Sequence, residues 1–218
     1  MKKKLSVNRS HRARALAALT VVVLALSATA CGGSSDGGSS AAGNGTDLAF
    51  VSDMVPHHKS AVEMATIAQK RGQSTFVKKL ADDIVRTQKQ EVTVMSAAKG
   101  DLTKAEVKKA PLGVPSAMMG MDMNTASLKT ATPFDKAFID MMVPHHQGAI
   151  RMARVEMSKG KSEKLKKLSK DIVAAQTREI KAMNAHRTEA FGSPSPAGGV
   201  PAAKESGGSM GGMKGMKH

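Results

Sequence analysis

Tryptophan and tyrosine are absent from this chain of 218 residues, phenylalanine occurs five times and cysteine once. One cysteine rules out a disulfide framework. So few aromatics argue against a sheet, because strands favour aromatic and β-branched residues. They also remove the platforms on which nucleic-acid bases stack. No nucleophile triad, phosphate loop, zinc-finger spacing or haem motif is present. What is abundant is Ala, Lys, Leu and sixteen methionines, a composition that leans to helix.

The formal charge of +15 overstates the basic character of the working chain. Residues 1–30 hold six Lys/Arg and no acid, so the remainder has 27 basic against 18 acidic residues, or +9. These basic residues are spread along helical faces with no nucleic-acid motif beside them, which reads as a solvated surface and not a nucleic-acid site.

Residues 1–30 read as an export signal. A basic stretch from Lys2 to Arg14 precedes the apolar run Ala15–Leu26, which is short for a membrane span. It ends in Leu26-Ser-Ala-Thr-Ala-Cys31, which resembles a bacterial lipobox with Ala28 where Leu is usual. On that reading Cys31 is lipidated and becomes the mature N-terminus, tethering the protein to the membrane from outside the cytoplasm. Ordinary cleavage near Ala30, leaving a free thiol, is the alternative. Residues 31–45 form a Gly/Ser/Ala linker.

Phe50–Ala65, FVSDMVPHHKSAVEMA, returns at Phe138–Ala153 as FIDMMVPHHQGAIRMA. The match continues without a gap through 97 and 185, always at an offset of 88. Such a repeat is one structural unit used twice. Within each unit, apolar residues recur near every 3.6 positions. The first helix is expected from a cap at Thr46 or Asp47 to Arg71 and the second from Ser74 to about Lys99. The second pair is expected at 134–159 and 162–190. Pro56 and Pro144 fall inside the His-bearing helices and predict a kink before each His pair. That kink is either inherited packing or a means of aiming the imidazoles.

The second helix of each unit carries polar residues on its inward stripe, Gln88 and Glu91 in one and Gln176 and Glu179 in the other. Two readings stand for them: the wet edge of the stripe, or partners that orient histidines on the facing helix. Between the units, residues 99–133 form a connection in which Thr103–Glu106 resembles a capping box opening a short helix. It also holds Met118, Met119, Met121 and Met123. The Pro/Gly-rich segment 191–218 reads as a disordered tail, yet ends with Met210, Met213, Met216 and His218.

Thioether and neutral imidazole together form a soft-to-borderline donor set. It suits Cu(I), and through histidine Cu(II), better than Mg, Ca or Mn. A methionine stripe alone is more often adaptable core filler. Paired histidines flanked by methionine and repeated, with two further Met-rich segments, shift the balance toward metal.

The M-V-P-H-H-x-x-A-x-x-M-A pattern, present twice, resembles the bacterial family of unknown function known as DUF305, over about residues 47–190. The resemblance implies an exported, ferritin-like four-helix bundle, and for some members a link to copper binding and resistance. Carried over by position, its motif residues are Met54, His57, His58, Met64, Met142, His145, His146 and Met152.

The expected fold is therefore all-α, a four-helix bundle of two repeated helical hairpins (repeats 50–97 and 138–185 within 46–190), with the His-bearing helices paired at the centre. The expected function is extracytoplasmic copper sequestration or transfer, without catalysis. The loop and tail methionines would capture the ion and the His/Met helices hold it. A structural or interaction lipoprotein is the first rival. A metal-dependent oxidoreductase is the weaker one, since the Glu-x-x-His pairs of di-iron bundles are missing. No protein partner is legible.

Overall fold

Asn44 begins the first helix. Its side chain accepts from the backbone N–H of Thr46 and Asp47 at 3.0 and 3.1 Å, and the Asp47 carboxylate accepts the Asn44 N–H in return. The cap thus lies two to three residues before the position expected at Thr46 or Asp47, because this reciprocal pair satisfies more of the helix's free donors. The computed structural model describes residues 43–121 and 123–203. The export segment, Cys31, and Met210, Met213, Met216 and His218 lie outside them. The described residues form one compact unit.

Helix α1 spans Gly45–Arg71 and runs unbroken through Pro56. Pro56 is exposed, so the missing N–H falls on the solvated side. Helix α2 spans Thr75–Lys104, with the Ser74 hydroxyl accepting the Val77 N–H at 3.1 Å. α2 passes through Gly100, which corrects the expected stop near Lys99. Leu102, seven residues after Met95, is buried in the same apolar cluster. That contact outweighs the roughly 1 kcal/mol helix penalty of glycine. Thr103 consequently opens no new helix. Its hydroxyl donates to the Lys99 carbonyl at 2.8 Å, and Glu106 turns the chain away at φ 53°.

The connection contains two 3₁₀ turns, Ser116–Met118 and Thr125–Lys129, and buries Leu112, Val114 and Leu128. Helix α3 covers Phe134–Lys159 and α4 covers Glu163–Phe191, with Ser162 as the α4 cap. α4 ends at Gly192 in the left-handed conformation, φ 81°, where a side chain would be strained.

α1/α2 and α3/α4 are hairpins, and α1 packs against α3 at the centre. Two apolar clusters fix the direction of that packing. One joins Met64, Ala65 and Ala68, late in α1, to Phe138, Ile139 and Met142, early in α3. The other joins Ala49, Phe50 and Met54, early in α1, to Met152, Ala153 and Val155, late in α3. The central helices are therefore antiparallel and related by an approximate twofold, as the repeat implies. The chain is an all-α four-helix bundle.

The reading of 191–218 as disordered does not hold for its first part. The buried Arg187 grips Asp140 at 2.7 and 3.0 Å and donates to the carbonyls of Ser193 and Pro194. Gln147 donates to the carbonyls of Ala197 and Gly199, and Arg154 to those of Pro201 and Ala202. A Pro/Gly-rich segment with no core of its own is ordered here because side chains of α3 and α4 satisfy its backbone.

Candidate metal centre

The approximate twofold brings His57 and His145 face to face, ring centroids 3.7 Å apart with planes tilted by 35°. His58 lies 6.1 Å from His57, and His146 6.4 Å from His145. All four imidazoles are fully buried. They form a polar layer across the middle of the bundle, between the two apolar clusters.

Each of three rings is fixed through Nε2. His58 donates to Glu91 at 2.8 Å and His146 to Glu179 at 2.6 Å. His57 donates to the Met119 carbonyl at 3.0 Å. An oxygen acceptor at Nε2 leaves Nδ1 to face the interior. The Nδ1 atoms of His57, His58 and His146 have no hydrogen-bond partner, and neither nitrogen of His145 has one. The amide oxygens of Gln88 and Gln176 are likewise buried and unpartnered. Of the α2 and α4 polar residues, the glutamates combine both expected roles and the glutamines show neither. The glutamates, 18% and 20% exposed, reach the histidines from the edge of the water, and the glutamines are buried.

Burial holds His57 and His145 well below the ordinary imidazole value of 6.5, and the neighbouring histidines lower them further. Both are neutral near pH 7, the state in which imidazole is a ligand.

The motif methionines do not join the histidines in one set. Met54 and Met152 lie in one apolar cluster with Met95, and Met64 and Met142 in the other with Met183. Each flank of the layer thus holds three buried methionines, related by the repeat. Met95 and Met183 join these sets from α2 and α4, at the same 88-residue offset as the motif pairs.

In the loop, Met118 and Met119 pack partly buried on the cluster around Met54, Met123 is half-buried and Met121 is 38% exposed. The loop meets the layer through the Met119 backbone, which no sequence signal foretold. Gly148 makes that approach feasible, since a Cβ there would overlap the Met119 carbonyl. Among the described residues, no three His, Cys, Asp or Glu converge as a ready cation cage. The layer offers donor atoms for metal without a preformed chelate.

The profile of the family described as "Domain of unknown function (DUF305)" matches residues 47–187. The chain belongs to the DUF305 family. Its DUF305 bundle is similar to CopM in the Cu(I)-bound form, at 33% identity over 66% of this chain and 97% of that one, with a TM-score of 0.58. CopM has also been solved in Cu(II)-bound and Ag-bound forms. The crystal structure of a DUF305 protein from Streptomyces coelicolor is 28% identical over 69% of this chain and 96% of that chain, TM-score 0.59. A shorter match, 38% identical over 50 residues, is to uncharacterized protein L153 of Acanthamoeba polyphaga mimivirus. It covers 23% of this chain and a third of that protein's length.

Proposed function

We propose that this DUF305 protein binds copper outside the cytoplasm, Cu(I) in preference to Cu(II), and sequesters it or passes it on without catalysing a reaction. A lipid on Cys31 would hold it at the membrane. The observation that carries the reading is the set of buried imidazole nitrogens without partners. Leaving such a group unpaired costs on the order of 1–3 kcal/mol each, and a bound ion would offset that cost. Oxygen acceptors on the opposite nitrogens are the arrangement that orients histidine toward a metal. The copper-bound forms of CopM, which shares this bundle, support the choice of ion. Loop and tail methionines would supply soft donors for capture.

A second reading makes the layer structural. The bond from His57 to the Met119 carbonyl favours it, because that contact ties the connection to the bundle with no metal needed. A di-iron oxidoreductase has less support. Glu91 and Glu179 are the only carboxylates in the described residues bonded to the layer, too few for that chemistry.

Anaerobic Cu(I) titration against a chromophoric chelator tests the proposal. It would use residues 39–218, the same chain ended at Ala203, and that shorter chain carrying His57→Ala and His145→Ala. Binding that survives the shortening and drops in the double variant supports the histidine layer. His58→Gln with His146→Gln serves as a second pair should the alanines unfold the bundle, with helicity checked by circular dichroism. Binding lost with residues 204–218 alone would make the layer structural.

A further inference from the structure

One end of the bundle gathers unpaired positive charge at the point where residues 1–42 join it. The Asn44 side chain donates to the Lys159 carbonyl at 2.8 Å, and the Asp47 carboxylate accepts the backbone N–H of Lys161 and Ser162. On the other side, the Ala110 N–H bonds the Gly45 carbonyl, and a side chain at Gly45 would collide with the Lys108 carbonyl. The start of α1, the α3–α4 turn and the segment after α2 therefore meet within a few residues of one another.

Lys104, Lys108, Lys159, Lys161, Lys164 and Lys170 are exposed on these elements, and none makes an ion pair among the described residues. Most acids at this end are already engaged. Asp53 binds Lys109 at 2.6 Å, Glu163 binds Lys166 at 3.1 Å, and Asp171 binds Lys167 at 2.8 Å. Asp47 and Glu156 are buried, which leaves Asp101 and Glu106 as the free countercharges at this end among the described residues. Met157, in the last turn of α3, is 39% exposed at the same end.

We propose that this end docks on a membrane surface rich in anionic phospholipid headgroups. Each lysine near such a surface strengthens binding by roughly fivefold, an attraction that fades beyond a Debye length. A thioether side chain amid lysines can enter the headgroup region while they pair with phosphate. The position favours lipid over other polyanions. Eleven residues lie between Cys31 and Gly43, so a chain held at Cys31 presents this end to the bilayer within about 40 Å. The choice of a membrane as the occupant rests on the proposed anchoring at Cys31, while the docking itself goes beyond copper binding and needs no metal.

The test is sedimentation of residues 39–218, which lack Cys31, with vesicles of phosphatidylcholine alone or with about one-third phosphatidylglycerol. Affinity for the anionic vesicles should exceed that for the neutral ones by at least about tenfold at low salt, and weaken as salt rises. Replacing Lys159, Lys161 and Lys164 by Glu should cost about tenfold or more, and Met157→Ser a smaller factor. The control replaces Lys70, Lys78 and Lys129, exposed residues near the opposite end, by Glu. It changes net charge equally and should cost less than about threefold. Equal losses in the two triple variants, equal affinity for neutral vesicles, or no binding would each overturn the proposal. So would tighter binding of duplex DNA through the same three lysines.

Discussion

Asp47 and Asp135 occupy the same position in the two repeats, and each closes the other hairpin. Asp47, in the first turn of α1, accepts the backbone N–H groups of Lys161 and Ser162 ahead of α4. Asp135, in the first turn of α3, accepts those of Gln73 and Ser74 ahead of α2, both at 2.8 Å. A carboxylate at the start of one helix thus satisfies free donors at the start of another, and the two hairpins are clasped at both ends. Asp135→Ala should destabilise the bundle by about 1–3 kcal/mol, the cost of two buried donors left without a charged acceptor. Asp135→Asn, which keeps one acceptor oxygen, should cost less. Urea unfolding of the two variants measures the difference. Equal stability of wild type and Asp135→Ala would show that the clasp adds nothing.

Only one of the two clasps carries a second carboxyl group. Burial, then the contact with Asp47, pushes Glu156 up to about 9 from its ordinary 4.5. Its counterpart in the first repeat is Ala68. Between pH 4.5 and 9 the folded chain holds a proton that the unfolded chain releases, so this group makes stability fall as pH rises. His57 and His145 act in the opposite sense. Their folded values lie below 6.5, so acid favours the unfolded chain, and their contribution is lost as pH falls below 6.5. Together these groups place maximum stability near pH 6.5. Glu156→Gln should flatten the fall above pH 6.5 and steepen the rise between pH 4.5 and 6.5, as read by melting temperature against pH. An alkaline slope that persists in the glutamine variant would assign it to another group.

The helices and their pairing were legible because the information is local and occurs twice. Periodicity, and Ser74 and Ser162 as caps, lie within a few residues of the features they control. The end of α2 was misread because Gly100 and Thr103 give a local stop signal that burial of Leu102 overrides. What the sequence hid was contact across long separations. Met119 meets His57 from 62 positions away, and Asp47 meets Ser162 from 115. The second was within reach, since Asp47 and Asp135 obey the same offset of 88 just ahead of the FVSDMV and FIDMMV motifs. The four histidines singled out by the repeated motif lie together in one layer. Yet periodicity along one helix carries no information on which nitrogen faces inward, because that depends on an acceptor supplied by a different element.

Gly148 should prove the least replaceable glycine of the bundle. Its counterpart in the first repeat is Ser60, so the site itself tolerates a side chain where no loop crosses it. Gly148→Ala places a methyl group against the Met119 carbonyl, and the loop must lift. The variant should lose about 1–3 kcal/mol, because the His57 Nε2–H forfeits its acceptor inside the bundle. Faster hydrogen exchange confined to residues 116–120 would locate the change. Ser60→Ala, the matched substitution in the other repeat, should be close to neutral.

The last prediction concerns the carboxylates that hold His58 and His146. Glu91 and Glu179 are only about one-fifth exposed, and each makes a single short bond to an imidazole Nε2. Replacing both by Gln keeps the shape and an acceptor oxygen but removes the charge that makes the imidazole a stronger donor to metal. If Nδ1 of these rings binds copper, the double variant should bind Cu(I) roughly tenfold more weakly in the shortened chain ending at Ala203. Helicity and unfolding midpoint should stay close to wild type, because the hydrogen bonds are retained. A purely structural histidine layer predicts metal affinity unmoved at the same unchanged midpoint. The two measurements on one variant therefore separate an oriented ligand from a buried tie between helices.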